Sequence, residues 1–465
     1  MSKNNTSSNR REFLKTSGLI AASTTAISTS AAAAKSSVHV AENNTVNIAL
    51  IGCGGRGTGA AMNALSVQGG PVKLVAMADA FKDRLDTSYQ SINTQKPDQI
   101  DVTEDRKFIG FDAYKKAIDS LGNGDIAIFT TPPAFRWVQF SYAIEKGVNV
   151  FMEKPVTVDG PTSKRMFALN EKAKAKNMKV GVGLMCRHCK SRQAAEEKFR
   201  NGDIGDILLI RAYRMAGPTG YAAVENAPAG MSDLEWQIRR FHGFLWASGG
   251  AVSDFLIHNI DEGCWAKGDW PVKAIATGGR HYRGKKIDQN FDSYSIEYTF
   301  GDGTKMMVDG RTIPGCKNEF ATFVHGTKGS SIFSSAGHIP AKSRIFSGQN
   351  MVKDEMVWKF GENEPNPYQV EWQDLIDAIR NDTPYNEVDR GVKSSLVTSM
   401  GRMAAHTGQE VSYDQFLNCE HEFAPNLDKL TMKSKAPLQK EENGKYPVPL
   451  PGLCVDSEYE FDFED

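Results

Sequence analysis

Asn47-Ile48-Ala49-Leu50-Ile51-Gly52-Cys53-Gly54-Gly55-Arg56-Gly57 decides the fold. A short apolar run ending in glycines reads as a strand buried on both faces, as in a parallel sheet. The glycines fit G-x-G-x-x-G, and helical patterning follows over residues 60–65. In that setting each glycine has a task. The first makes a tight turn, and the second lets the backbone approach a pyrophosphate. The third allows the helix to pack closely on the strand, so that its N–H groups and dipole face the anion. The stretch predicts the opening unit of a dinucleotide-binding domain, with Gly52, Gly54, Arg56 and Gly57 at the cofactor.

Working outward, residues 72–77 form a second apolar run, closed by Ala78-Asp79. Asp79 lies 22 residues beyond Gly57. A carboxylate there accepts hydrogen bonds from the adenosine ribose and repels a 2′-phosphate, which favours NAD over NADP. A third run, residues 126–129, enters Thr130-Thr131-Pro132-Pro133, where proline forbids continuation. A fourth, residues 148–152, ends at Glu153-Lys154-Pro155. Helical segments such as residues 141–146 lie between. This alternation predicts a doubly wound parallel sheet. Ligands gather at the carboxyl ends of such strands, which adds Thr131, Pro132, Glu153 and Lys154 to the cofactor set.

After residue 155 the texture changes. Residues 163–176 read as helix and 180–184 as the first strand of a second domain, with a polar helix over 193–201. Longer strands fill residues 206–335, and Asp302-Gly303 between two alternating runs signals a hairpin. Helical periodicity returns over 370–380 and 392–405. The expected organisation is a Rossmann domain over 45–155 and an α+β substrate domain over 156–415 with a large, mainly antiparallel sheet. Its last helices have the option of packing back on the first domain. A loop-like tail covers 416–465.

Two domains suit 465 residues, and 40% hydrophobic with 24% charged residues describes an ordinary globular chain. A net charge of −1 gives no field to draw nucleic acid or anionic lipid, so a small-molecule task is favoured. The first residues stand apart. Arg10-Arg11 precedes a mildly apolar, Ala/Ser/Thr-rich stretch ending in Ala32-Ala33-Ala34. Residues 1–34 therefore read as a signal peptide resembling the twin-arginine type, with Asn9 where Ser or Thr is usual. This places the mature protein in the periplasm or outside the cell, with no stable membrane insertion once the signal is removed. The seven cysteines are odd in number and scattered, which is no disulfide framework. Cys186-Arg187-His188-Cys189 lacks a second ligand pair, so no metal is expected.

Residues 48–57, 76–79, 130–133 and 150–155 occur in the order and spacing of a known family. So does Gly249-Gly250-Ala251-Val252-Ser253-Asp254-Phe255-Leu256-Ile257-His258-Asn259-Ile260-Asp261. The chain resembles the glucose–fructose oxidoreductase and inositol dehydrogenase (Gfo/Idh/MocA) family from residue 46 to about 415. The resemblance implies a tightly held NAD, a carbohydrate or polyol substrate, and a homo-oligomer formed through the C-terminal sheet. It implies catalysis by Lys154, Asp254 and His258. On a regular helix the last two, at i and i+4, share a face. His258 then removes a proton from a substrate hydroxyl, Lys154 hydrogen-bonds the same oxygen, and Asp254 orients His258 or binds a neighbouring hydroxyl. Where many relatives carry a histidine after the third strand's proline, this chain has Arg136 in that role or no contact at all. Residues 216–246, with Trp236, Arg239, Arg240, His242 and Trp246, are expected to wall the pocket; Arg187 and His188 join Trp236 as substrate candidates. Two other outcomes stay open. One is an NAD-dependent glycosidase that uses its cofactor transiently; the other is a non-catalytic sugar-binding protein.

Overall fold

The computed structural model describes residues 44–459 apart from 221, 222, 282, 283 and 336, so the export signal expected over residues 1–34 lies outside the described residues. The first sheet contains β1 (Val46–Ile51), β2 (Val72–Asp79), β3 (Lys107–Ile109), β4 (Ile126–Phe129), β5 (Asn149–Met152) and β6 (Val180–Val182). Its order is β3-β2-β1-β4-β5-β6, and all its pairings are parallel. Strands β4 and β5 are buried along their whole length, because helices cover both faces. Helices Gly55–Ala64 and Pro367–Arg380 seal one face, and Arg136–Lys146 and Gly160–Ala175 the other.

Two features differ from the sequence reading. Residues 180–182, expected to open the second domain, pair with β5 as the sixth strand of this sheet. Strand β3 carried no legible signal, since it has three residues and none is buried.

The second sheet holds β7 (Ile207–Ala216), β8 (Lys273–Gly279), β9 (Ser293–Thr299), β10 (Lys305–Thr312), β11 (Glu319–Gly326), β12 (Ser330–Ser335), β13 (Arg344–Phe346), β14 (Met356–Lys359) and β15 (Val411–Ser412). Its order is β14-β13-β12-β11-β7-β10-β9-β8-β15, antiparallel except between β7 and β10. The β9–β10 hairpin turns at Asp302-Gly303, where Asp302 Oδ1 accepts from Thr304 N. Burial alternates along β10, whose inner face packs with helices Ile257–Lys267 and Val388–Thr407. Helix Pro367–Arg380 does pack back on the first sheet: Trp372 stacks on Phe151 with ring centroids 4.2 Å apart.

The tail is more than a loop. Phe423, Leu427, Tyr446 and Tyr459 are buried together with Trp246. Glu458 is fully buried, 2.8 Å from Arg402 Nη2 and 2.5 Å from His406 Nδ1.

Candidate active site

A cleft of about 470 Å³ opens at the carboxyl ends of β1, β2, β4 and β5, where strand order reverses. At Gly52, φ is +98°, and a Cβ there would lie 2.6 Å from Thr131 N. A Cβ on Gly57 would lie 2.1 Å from Gly52 O, so only glycine lets the helix sit this close to the turn. At Gly54 a side chain would meet nothing nearer than the tip of Arg84, at 3.7 Å. That side of the turn is open backbone, and no side chain caps the helix start behind it. Open N–H groups at a helix N-terminus suit a pyrophosphate.

Asp79 Oδ2 accepts from Cys53 N at 2.6 Å, and Oδ1 from Phe81 N at 2.9 Å. Burial raises its pKa while the two N–H donors and Arg84 pull the other way. The cleft beside it is lined by Phe81, Phe111, Tyr114 and Phe135, a ring-lined slot next to the Asp79 carboxylate. This donor set fits a dinucleotide.

Thr131, Pro132, Glu153 and Lys154 line the same cleft. Arg56 does too, but its Nε is paired with Glu153 Oε1 at 2.9 Å and its guanidinium lies over Tyr368. Arg136 is buried below the cleft floor. It donates to Thr131 Oγ1 at 2.8 Å and to Glu153 O at 3.1 Å, which ties the end of β4 to the end of β5. Burial lowers its pKa to about 10, with Glu153 and Asp254 opposing.

The opposite wall brings Lys154, Asp254 and His258 together. Lys154 Nζ donates to Asp254 O at 2.5 Å and Oδ1 at 3.2 Å, and His242 Nε2 lies 2.9 Å from Asp254 Oδ2. Burial would raise the Asp254 pKa, but Lys154 and His242 outweigh it and hold the carboxyl well below the usual range. Asp254 and His258 share no hydrogen bond or ion pair among the described residues, so of the two roles expected for Asp254, orienting His258 has no contact behind it. The reason is local. Residues Val252–Leu256 form a π-helical turn before helix Ile257–Lys267, which breaks the i, i+4 register. The imidazole on Asp254 is that of His242, from the segment expected to wall the pocket.

His258 is buried, and its Nδ1 has no hydrogen-bond partner among the described residues. Burial pushes its pKa well below the ordinary imidazole value, and His338, Lys154 and Arg214 push further. Its ring centroid is 4.4 Å from that of His338, which the sequence reading missed. His338 Nδ1 meets Tyr368 Oη at 3.1 Å, and its carbonyl accepts from buried Arg192 at 2.7 Å. Arg214 and Tyr368 also line the cleft and were not singled out; neither stands in a motif.

Three substrate candidates lie elsewhere. Arg187 makes a bidentate pair with buried Asp261 at 2.9 and 2.8 Å. His188 sits between Asp374, at 2.6 Å, and Glu387, at 3.1 Å. Trp236 is buried and donates to Glu225 O. None of the three lines the cleft. Because β6 belongs to the parallel sheet, the turn after it packs against helix Pro367–Arg380 instead of entering the substrate side. Cys186 and Cys189 are free, buried thiols. Among the described residues no three His, Cys, Asp or Glu side chains converge on a metal position, and no helix is long and apolar enough to cross a membrane.

No protein-family profile matches the chain. It is 33% identical over 325 residues to a glycosyl hydrolase family 109 protein of Shewanella pealeana, spanning 66% of this chain and 68% of that one. It is 24% identical over 340 residues to a scyllo-inositol 2-dehydrogenase (NAD(+)) of Bacillus subtilis, 72% of this chain and 86% of that one. Several solved structures share its fold, among them two dehydrogenases. One is a levoglucosan dehydrogenase in complex with NADH and levoglucosan, with TM-score 0.60 and 17% identity, covering 80% of this chain and 100% of that one. The other is a myo-inositol 2-dehydrogenase from Lactobacillus plantarum, with TM-score 0.58 and 22% identity, covering 79% and 99%.

Proposed function

Since the chain belongs to the glucose–fructose oxidoreductase and inositol dehydrogenase (Gfo/Idh/MocA) family, we propose that it is an exported NAD-dependent oxidoreductase acting on a hydroxyl or ketone of a sugar, polyol or glycoside. The observation that carries this reading is the meeting of Lys154, Asp254 and His258 at one end of the cleft that holds the glycine turn and Asp79. Gly52, Gly54, Gly57 and Asp79 hold the dinucleotide, whose nicotinamide supplies the hydride chemistry. His258 takes the proton from the substrate hydroxyl, and its environment keeps it in the free-base form that this requires. Lys154 donates to the same oxygen and favours the negative charge that develops there. Asp254 holds the ammonium in place. Ketone reduction uses the same groups in reverse.

A second reading is favoured by the likeness to the glycosyl hydrolase family 109 protein. In it the same site oxidises a glycoside transiently and the net outcome is hydrolysis. A tightly held, recycled cofactor suits a compartment where free NAD is scarce, which is the case if Arg10 and Arg11 direct export. One experiment separates the readings. NAD-loaded enzyme is incubated with nitrophenyl glycosides, and reduced nicotinamide and released nitrophenol are followed separately. Nicotinamide reduction alone supports the first, aglycone release without net reduction the second, and neither signal with any sugar defeats both.

Export is tested by replacing Arg10 and Arg11 with lysine, which should leave the precursor in the cytoplasm. Undiminished mature protein outside the inner membrane would exclude the twin-arginine route. Assembly through the second sheet is supported by its outer face, where Ile275 is 46% exposed and Tyr213 packs on Phe323. Sedimentation showing only monomer would exclude it.

A further inference from the structure

The catalytic end of the cleft holds a guanidinium that makes no ion pair or hydrogen bond among the described residues. Lys154 is paired with Asp254 and Arg56 with Glu153, while Arg136 is taken up below the floor. Arg214, on β7, lines the same cleft but makes no ion pair or hydrogen bond among the described residues. Its Nε is buried and unpartnered. Its guanidinium carbon lies 4.1 Å from the centroid of Phe320. An aromatic face behind the guanidinium steadies the fork without using any of its donors. The nearby carboxylate, Asp254, already meets Lys154 through one oxygen and His242 through the other. His258 and His338 bring no negative charge, and burial favours their neutral forms.

A half-enclosed guanidinium with idle donors is costly unless a ligand or solvent meets it. A neutral sugar offers hydroxyl oxygens but no charge. We propose that the substrate is a sugar or polyol acid whose carboxylate is bound by Arg214, an inference that rests on the oxidoreductase reading above. A planar carboxylate matches the two-pronged fork of one guanidinium. A phosphate dianion would call for a second unpaired cation, and none lines this end of the cleft among the described residues. The choice also helps the chemistry. Arg214 is one of the charges holding the His258 imidazole down, so a carboxylate seated on it cancels part of that field. His258 then becomes a stronger base only when the acidic substrate is present.

The test uses the mature, NAD-loaded enzyme and matched pairs: glucuronate with glucose, galacturonate with galactose, and the corresponding nitrophenyl glycosides. Glucose 6-phosphate is a third arm. Turnover is read as kcat/KM, and NAD affinity and melting temperature report folding. The acid member of at least one pair should be favoured about tenfold or more. Arg214→Gln should collapse that acid-over-neutral ratio toward one, chiefly through KM, and Arg214→Lys should keep part of it. Neutral members preferred in every pair, or an Arg214→Gln variant with an unchanged ratio, would overturn the proposal and leave the oxidoreductase reading standing. Preference for glucose 6-phosphate would replace the carboxylate by a phosphate. No turnover of any sugar by folded, NAD-loaded enzyme would defeat the underlying reading itself.

Discussion

Lys154 Nζ reaches both the main-chain oxygen and Oδ1 of Asp254, at 2.5 and 3.2 Å. This contact joins the end of β5 to the π-helical turn that precedes the His258 helix, and so closes one end of the cleft. The Lys154 amine is thereby held at a fixed point on the cleft wall.

The electrostatics fix a pH dependence. Asp254 is an anion well below the usual carboxylate range, because Lys154 and His242 overcome the opposing effect of burial. His258, lowered by burial and by the cations around it, is the free base at neutral pH. The acid limb of kcat/KM for oxidation should therefore lie below about pH 6.5, the ordinary histidine value, with rate lost as pH falls through the depressed pKa. A limb centred at or above that value in the kcat/KM profile contradicts this environment.

Asp79 should favour NAD over NADP, since a 2′-phosphate would lie against its carboxylate. Because Asp79 also accepts from Cys53 N and Phe81 N, Asp79→Ala will loosen the glycine turn as well. Asp79→Asn removes charge with less damage and should narrow the NAD-over-NADP gap by about tenfold or more. Calorimetric titration in which the unaltered protein prefers NADP would refute the assignment.

Much of the first sheet was legible because β1, β4 and β5 are largely apolar runs with glycine or proline close after their ends. The residues that follow such strands, from Gly52 to Lys154, fall at the cleft by topology alone. Other features had no local signature. The three residues of β6 gave no sign of which sheet they join, which misplaced Arg187 and His188. The contacts of His242 with Asp254 and of His338 with His258 join distant segments, and no periodicity encodes them. The π-helical turn at Val252–Leu256 has no sequence mark that separates it from an ordinary helix, so the i, i+4 spacing of Asp254 and His258 does not put them in contact.

Arg187 now reads as a structural residue. Arg187→Ala leaves the buried Asp261 carboxylate without its bidentate partner and should cost roughly 3–5 kcal/mol in denaturant unfolding. The folded fraction should keep its KM for the sugar within about twofold. A large rise in KM at unchanged stability would return Arg187 to the substrate site.

Glu458 fastens the tail. Burial opposes its charge, yet Arg402 and His406 hold its pKa well below the usual range. Arg402 also donates to Gly249 O and Ser253 Oγ, just before Asp254. Glu458→Ala strands a buried guanidinium and should destabilise by roughly 3–5 kcal/mol. In the unaltered protein this contribution is present above the unfolded glutamate pKa of about 4.3 and is lost as pH falls toward the depressed folded value. Unfolding curves that shift by less than about 1 kcal/mol would show the pair to be incidental.

The role proposed for His258 is that of the base in a dinucleotide-dependent oxidation. It is tested most directly by single-turnover reduction of bound NAD, on the sugar that the unaltered enzyme turns over best, in His258→Ala. NAD should bind as tightly as before, and the reduction rate should be lower by about 10²–10⁴-fold. A folded, NAD-loaded His258→Ala enzyme that reduces its cofactor at a near-normal rate would contradict it.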